Sequence, residues 1–162
     1  MTSAEPGNPT VSRHAQAARD AKRSHAASLG IDDAFVARMI DEFYAKIRDD
    51  DVLGPIFAAH VVDWLPHLAQ MNRFWRSVLF SSGEFAGNPM AKHVVIPDLT
   101  RVEFARWLAL FDQTLSAIGP ETTRAHVYDR ARMIANSLLS AAIVHRDGGL
   151  GQIGRASCRE RV

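Results

Sequence analysis

The clearest pattern in the chain begins just after Asp32. Phe35, Val36, Met39, Ile40, Phe43, Tyr44 and Ile47 recur at spacings of three and four, which gathers them on one face of a helix. Asp32 suits the N-cap, because its carboxylate can accept a backbone N–H that the first turn leaves unpaired. Asp49-Asp50-Asp51 closes the pattern. Val52-Leu53-Gly54-Pro55-Ile56-Phe57 follows as an expected turn whose apolar residues pack inward. A second stripe, Trp64, Leu68, Met71, Phe74, Trp75, Val78 and Leu79, predicts a helix that starts near Val62-Asp63 and stops at Ser81-Ser82-Gly83. Pro66 falls in its first turn, where no intrahelical hydrogen bond is lost. Gly87-Asn88-Pro89 then starts a short helix over 90–94, and Ile96-Pro97-Asp98-Leu99-Thr100 caps the next. That helix carries Phe104, Trp107, Leu108, Phe111 and Leu115 and ends at Gly119-Pro120. A last one, over about 121–144, carries Ala125, Tyr128, Ala131, Ile134, Ala135, Leu138, Leu139 and Ile143, and Asp147-Gly148-Gly149 is expected to end it. No segment alternates with period two, so the expected class is all-α with about five or six helices.

The two ends read differently from the middle. Residues 1–28 form a polar, alanine-rich arm able to hold a helix over 12–27, and 29–147 form the expected domain. Residues 148–162 look non-native. One set of codons for 153–162 spells a common sequencing-adapter read, the alternative being an ordinary disordered basic tail. Without 152–162 the chain loses Arg155, Arg159, Arg161 and Glu160, so its net charge moves from +1 to −1, and it loses Cys158, its single cysteine. No disulfide or thiol chemistry is therefore expected.

Composition narrows the class without naming a function. The chain has 162 residues, 47% hydrophobic and 23% charged, with net charge +1. That is enough to bury one core. It is too weakly charged for nucleic acid or an anionic membrane to be expected as partner. No apolar run approaches a membrane span, and the opening residues lack the basic start and apolar run of a secretory signal. A cytoplasmic protein is the expectation.

Familiar catalytic signatures are missing: phosphate-binding loops, dinucleotide glycine fingerprints, HExxH, CxxC, GxSxG and the paired Glu-x-x-His of di-iron bundles. The unusual feature is polar rings on apolar faces. His67 shares a stripe with Trp64, Met71 and Phe74. Tyr44 and Trp107 lie on inner faces of other helices, and each carries a group that wants a partner when buried. A lone histidine on such a stripe is more often a satisfied core residue than a ligand. His93 stands apart, on a helix barely two turns long between two loops. By position alone it reads either as an exposed loop histidine or as a ligand aimed at a flat group. His14, His25, His60, His126 and His145 read as solvated.

Taken in order, several motifs resemble group III truncated haemoglobins: Phe43-Tyr44; Leu53-Gly54-Pro55-Ile56-Phe57; Trp64-Leu65-Pro66-His67-Leu68 with Met71 and Phe74-Trp75; Gly87-Asn88-Pro89-Met90-Ala91-Lys92-His93; and Phe104-Ala105-Arg106-Trp107-Leu108 with Leu110-Phe111. Each motif is weak alone, but the ordered set spans about residues 30–145. The resemblance implies a truncated globin fold in which two antiparallel helix pairs hold one haem b. It implies His93 as the proximal iron ligand. Tyr44, His67 and Trp107 would form the distal polar cluster, and Phe43, Phe57, Met71, Phe74 and Trp75 the apolar wall. Met71 stands where an aliphatic residue is more usual, and its thioether is oxidisable. Lys92 and Arg101 are candidates, from position, for the haem propionates.

The implied function is reversible binding of oxygen, nitric oxide and carbon monoxide at a five-coordinate iron. Nitric oxide or reactive-species detoxification, by dioxygenase or peroxidase-like chemistry, would follow, with a reductase as partner. Oxygen storage fits less well, because a donor-rich cage slows release. The alternative class is a haem-free helical interaction module in which Trp64, Trp75 and Trp107 are only core.

Overall fold

The computed structural model describes residues 9–157 except 98, and the side chains of 12–148 except 98. Among these the chain is all-helical, in the order α1 (Pro9–Ser28), α2 (Asp33–Asp49), α3 (Leu53–His60), α4 (Trp64–Phe80), α5 (Pro89–Val94), α6 (Arg101–Ile118) and α7 (Glu121–Ser157). No helix among the described residues is long and apolar enough to cross a membrane.

Local chemistry sets most helix ends. Asp32 accepts the Phe35 N–H at 2.8 Å, Asp63 accepts the Leu65 N–H at 3.1 Å, and Asn88 accepts the Ala91 N–H at 3.1 Å. Thr100 and Glu103 form a reciprocal capping box on α6. Ser81 ends α4 in the left-handed region, at φ 53°, a conformation uncommon outside glycine.

The segment expected to be a turn after Asp51 is instead the helix α3. Gly54 and Pro55 suggest a turn when read in isolation, but both fall in the first helical turn, where a missing N–H costs nothing. The cap comes from outside the segment: the buried Asp50 carboxylate accepts the N–H groups of Val52 at 3.1 Å and Leu53 at 2.9 Å. Arg106, on α6, donates to the same carboxylate from Nε at 2.8 Å. These bonds hold the Asp50 carboxyl below the usual range, the Arg106 contact contributing most. Gly54 is required by close approach, since a Cβ there would come within 2.9 Å of the Arg48 carbonyl oxygen.

Two further expectations shift. The last turn of α1 is docked: Ala26 is buried, and Thr123 Oγ1 donates to the Leu29 carbonyl. α7 runs through Gly148-Gly149 to Ser157. Glycine is tolerated inside a helix at a cost of about 1 kcal/mol and does not by itself end one.

The core lies where α2 crosses α6, α4 and α3, with α7 against α6. Met39, Ile40, Phe43, Ile47, Trp75, Leu79, Phe111, Leu115 and Val127 are fully buried in it. The buried line of α7 is Thr123, Val127, Ala131 and Ala135, an i, i+4 ridge of small residues, while Ala125 is exposed. Small side chains let α7 approach its neighbours closely. α5 packs on α7 and buries none of its own residues.

Candidate functional site

α4 is the first sign of a cavity. Its stripe is as apolar as that of α2, yet Trp64, Leu68, Met71, Phe74 and Val78 are only half-buried. Part of that face borders an open space rather than core. The space is a cavity of 530 Å³, within the range of small-molecule and cofactor sites. Phe57, Met71, Phe74 and Trp75 line it, as do Tyr44, His67, Trp107, Lys92 and His93. Five helices, α2 to α6, thus bring the expected site residues to one place.

Phe43 and Arg101 do not line it. Phe43 is fully buried behind the wall, edge-on to Tyr44 at 5.1 Å, Trp107 at 5.4 Å and Phe111 at 4.9 Å. It fixes the rings that do face the space. Arg101, the first residue of α6, is exposed. The face that α6 turns to the cavity begins with Glu103 and Phe104.

Tyr44 and His67 form the tightest polar pair. Their rings meet edge to face at 5.2 Å, within a cage completed by Phe57 and Trp64. Trp64 meets His67 edge to face at 5.6 Å, and the Arg48 guanidinium lies over its ring at 4.8 Å. Burial raises the Tyr44 phenol well above its ordinary pKa, so it stays protonated and can donate. Burial also lowers the His67 pKa, aided by the positive charges of His93 and Lys92. His67 is therefore a neutral imidazole near neutral pH, and its buried Nε2 has no hydrogen-bond partner among the described residues. Such an atom is costly unless something else meets it.

His93 is held by its own helix. Its Nδ1 lies 2.6 Å from the Pro89 carbonyl oxygen. A carbonyl only accepts, so Nδ1 carries a proton, and Nε2 is the ring nitrogen left to meet another partner. This is how a metal-binding imidazole is commonly set for ligation.

A scan of family models gives no match. A group 3 truncated hemoglobin (ctb) of Campylobacter jejuni is 33% identical over 105 residues, covering 62% of this chain and 83% of that relative. The chain belongs to the group III truncated haemoglobins. The crystal structure of a group III truncated hemoglobin from Campylobacter jejuni superposes on this globin with a TM-score of 0.65 and 32% identity, over 68% of this chain and 90% of the other. The fold is accordingly the truncated globin fold.

The globin's cavity has lining residues that its sequence did not single out. Gln70 Nε2 donates to the Ala86 carbonyl at 3.1 Å, and Phe85 packs edge-on against Phe74 at 5.1 Å. Together they tie the linker before α5 to α4. The one available signal was Phe85, an aromatic in an otherwise polar linker. Glu103 and His60 also border the cavity. Glu103 is committed to Thr100, and His60, placed in a loop by the sequence pattern, is the exposed last residue of α3. His126 departs from the solvated class altogether: it is half-buried, with its ring 5.2 Å from that of His25.

Proposed function

We propose that this truncated haemoglobin holds haem b in the 530 Å³ cavity, with His93 as proximal ligand, and reversibly binds oxygen and other diatomic ligands there. The observation that carries the reading is the placement of His93: its Nδ1 is spent on the Pro89 carbonyl, which leaves Nε2 to ligate in a cavity walled by Phe57, Met71, Phe74 and Trp75. The residues present fit the group. A flat apolar macrocycle matches aromatic and aliphatic walls, and a neutral imidazole matches its iron. The unpartnered His67 Nε2 and the protonated Tyr44 hydroxyl supply polar tips with no better use in an apolar pocket.

Bound haem would supply an iron with one open position for a small ligand. The chain's residues do the rest. His93 anchors, Tyr44, His67 and Trp107 offer hydrogen-bond donors to what enters, and the apolar wall excludes bulk water. Lys92, at the cavity edge, is a candidate partner for a propionate. A cage rich in fixed donors favours retention of a polarised ligand over rapid release. That supports nitric oxide and reactive-species detoxification, with a reductase returning the iron to its ferrous state, more than oxygen storage. A cytoplasmic setting fits this role.

The test is titration of the purified apoprotein with haem. Saturation at one haem per chain with a Soret band is expected, and ferrous protein should bind carbon monoxide. Absence of a Soret band would abandon the haem reading in favour of a helical interaction module.

A further inference from the structure

Met71 is the cavity residue whose chemistry the proposed function does not use. It lines the cavity one helical turn beyond His67, on the same face of α4. A hydrocarbon side chain would fill this wall as well, so the thioether adds reactivity without being needed for shape. The other described methionines sit differently. Met39 is fully buried in the core, whereas Met90 and Met133 are 43% and 53% exposed. Attack from bulk solvent would therefore reach Met90 and Met133 ahead of Met71.

We propose that Met71 is a modification site, oxidised to the sulfoxide by hydrogen peroxide that a bound haem would draw into the cavity and activate beside it, an activation that free peroxide in the apoprotein would lack. This rests on the haem reading above. In the step, the sulfur gives up two electrons and gains one oxygen atom from the peroxide. The second oxygen leaves as water with both hydrogens, so atoms and electrons balance. The product places a polar, chiral S=O in an apolar wall. It also sets a hydrogen-bond acceptor one turn from His67, whose buried Nε2 has no partner among the described residues. The sulfoxide is of the class that methionine sulfoxide reductases return to the thioether, so the mark is reversible.

The sequence makes the test direct, because trypsin separates the described methionines: Met71 falls in the peptide 49–73, Met39 in 39–46, Met90 in 77–92 and Met133 in 133–146. Haem-loaded globin and its apoprotein are each treated with a single equivalent of hydrogen peroxide, digested and mapped by tandem mass spectrometry. Fragment ions distinguish Met71 from Trp64 in the shared peptide. In the loaded protein the gain of one oxygen is expected at Met71 before Met90 and Met133. In the apoprotein the order is expected to reverse. Met71→Leu should abolish the gain at position 71 and leave that at Met90 and Met133. Met71 remaining a thioether in protein with a full Soret band, or leading equally in the apoprotein, would overturn the proposal. A missing Soret band would instead fail the haem reading, and the two failures are read separately.

Discussion

The two sides of the cavity are held by opposite means. On one side Tyr44 belongs to α2, a helix that also buries Val36, Met39, Ile40, Phe43 and Ile47. On the other, His93 belongs to α5, six residues long with none buried. Tyr44 is where it is because the core is where it is. His93 is placed by the Asn88 cap, the Pro89 carbonyl and the packing of α5 on α7. A residue set by the core cannot be moved without cost to folding. A residue set by two local hydrogen bonds and the packing of one short helix can be lost while the fold stands. The Tyr44 side of the cavity is therefore part of the globin's stability, and the His93 side is nearly independent of it.

His93→Ala should give the largest effect and the sharpest separation of the two sides. Loss of tight haem binding is expected, read as a Soret band that disappears on gel filtration, while the urea midpoint of the apoprotein stays within error of wild type. A large drop in that midpoint would show that α5 is part of the core after all.

Phe111→Ala probes the other side. Phe111 is fully buried, stacked on Trp75 at 5.0 Å and on Trp107 at 5.2 Å, and edge-on to Phe43. Removing it should cost about 3–5 kcal/mol in equilibrium urea unfolding of the apoprotein. A loss below about 1 kcal/mol would mean that the Tyr44 side of the cavity does not depend on core packing.

Tyr44→Phe is milder, since it deletes a hydroxyl and almost no volume. If that hydroxyl donates to a bound ligand, the oxygen dissociation rate of haem-loaded protein should rise about tenfold, which is the loss of roughly 1.4 kcal/mol. Folding stability should change little. An unchanged off-rate, with His93 still ligating, would remove Tyr44 from the distal cluster.

The smallest effect lies away from both sides, at the meeting of α1 and α7. His126 is held below its ordinary pKa of 6.5 by burial, then by Arg130, His25 and Lys22, with Asp129 opposing. The folded chain therefore takes up this proton at lower pH than the unfolded chain does. The stability concerned is present above 6.5 and is lost as the pH falls below it. The apoprotein's urea midpoint should decline as the pH falls below 6.5, and His126→Gln should flatten part of that decline. An identical slope in the variant would show that His126 is not responsible.

Much of this was legible in the residues themselves. The stripe of α2, the caps at Asp32, Asn88 and Thr100, and the all-α class follow from spacing and side-chain chemistry within a few residues of one another. Those are short-range causes, and a sequence records them directly. The order of weak motifs from Phe43 to Phe111 was enough for the family, because each restricts the same fold. What the sequence could not determine depends on residues far apart along the chain. α3 is a helix because Asp50 caps it and Arg106, from α6, grips Asp50. Phe43 stands behind the cavity wall and Arg101 points away from it because the azimuth of a helix is set by its partners. His126 is half-buried because the end of α1 sets the His25 ring against it, and the α7 ridge falls on Val127 and not on Ala125 because small residues must meet the neighbouring helix. Periodicity says which residues share a face, but only packing decides what that face meets. For the same reason, the sequence could name Tyr44, His67 and Trp107 as costly polar groups on apolar faces, whereas only the crossing of α2, α4 and α6 brought them to one cavity.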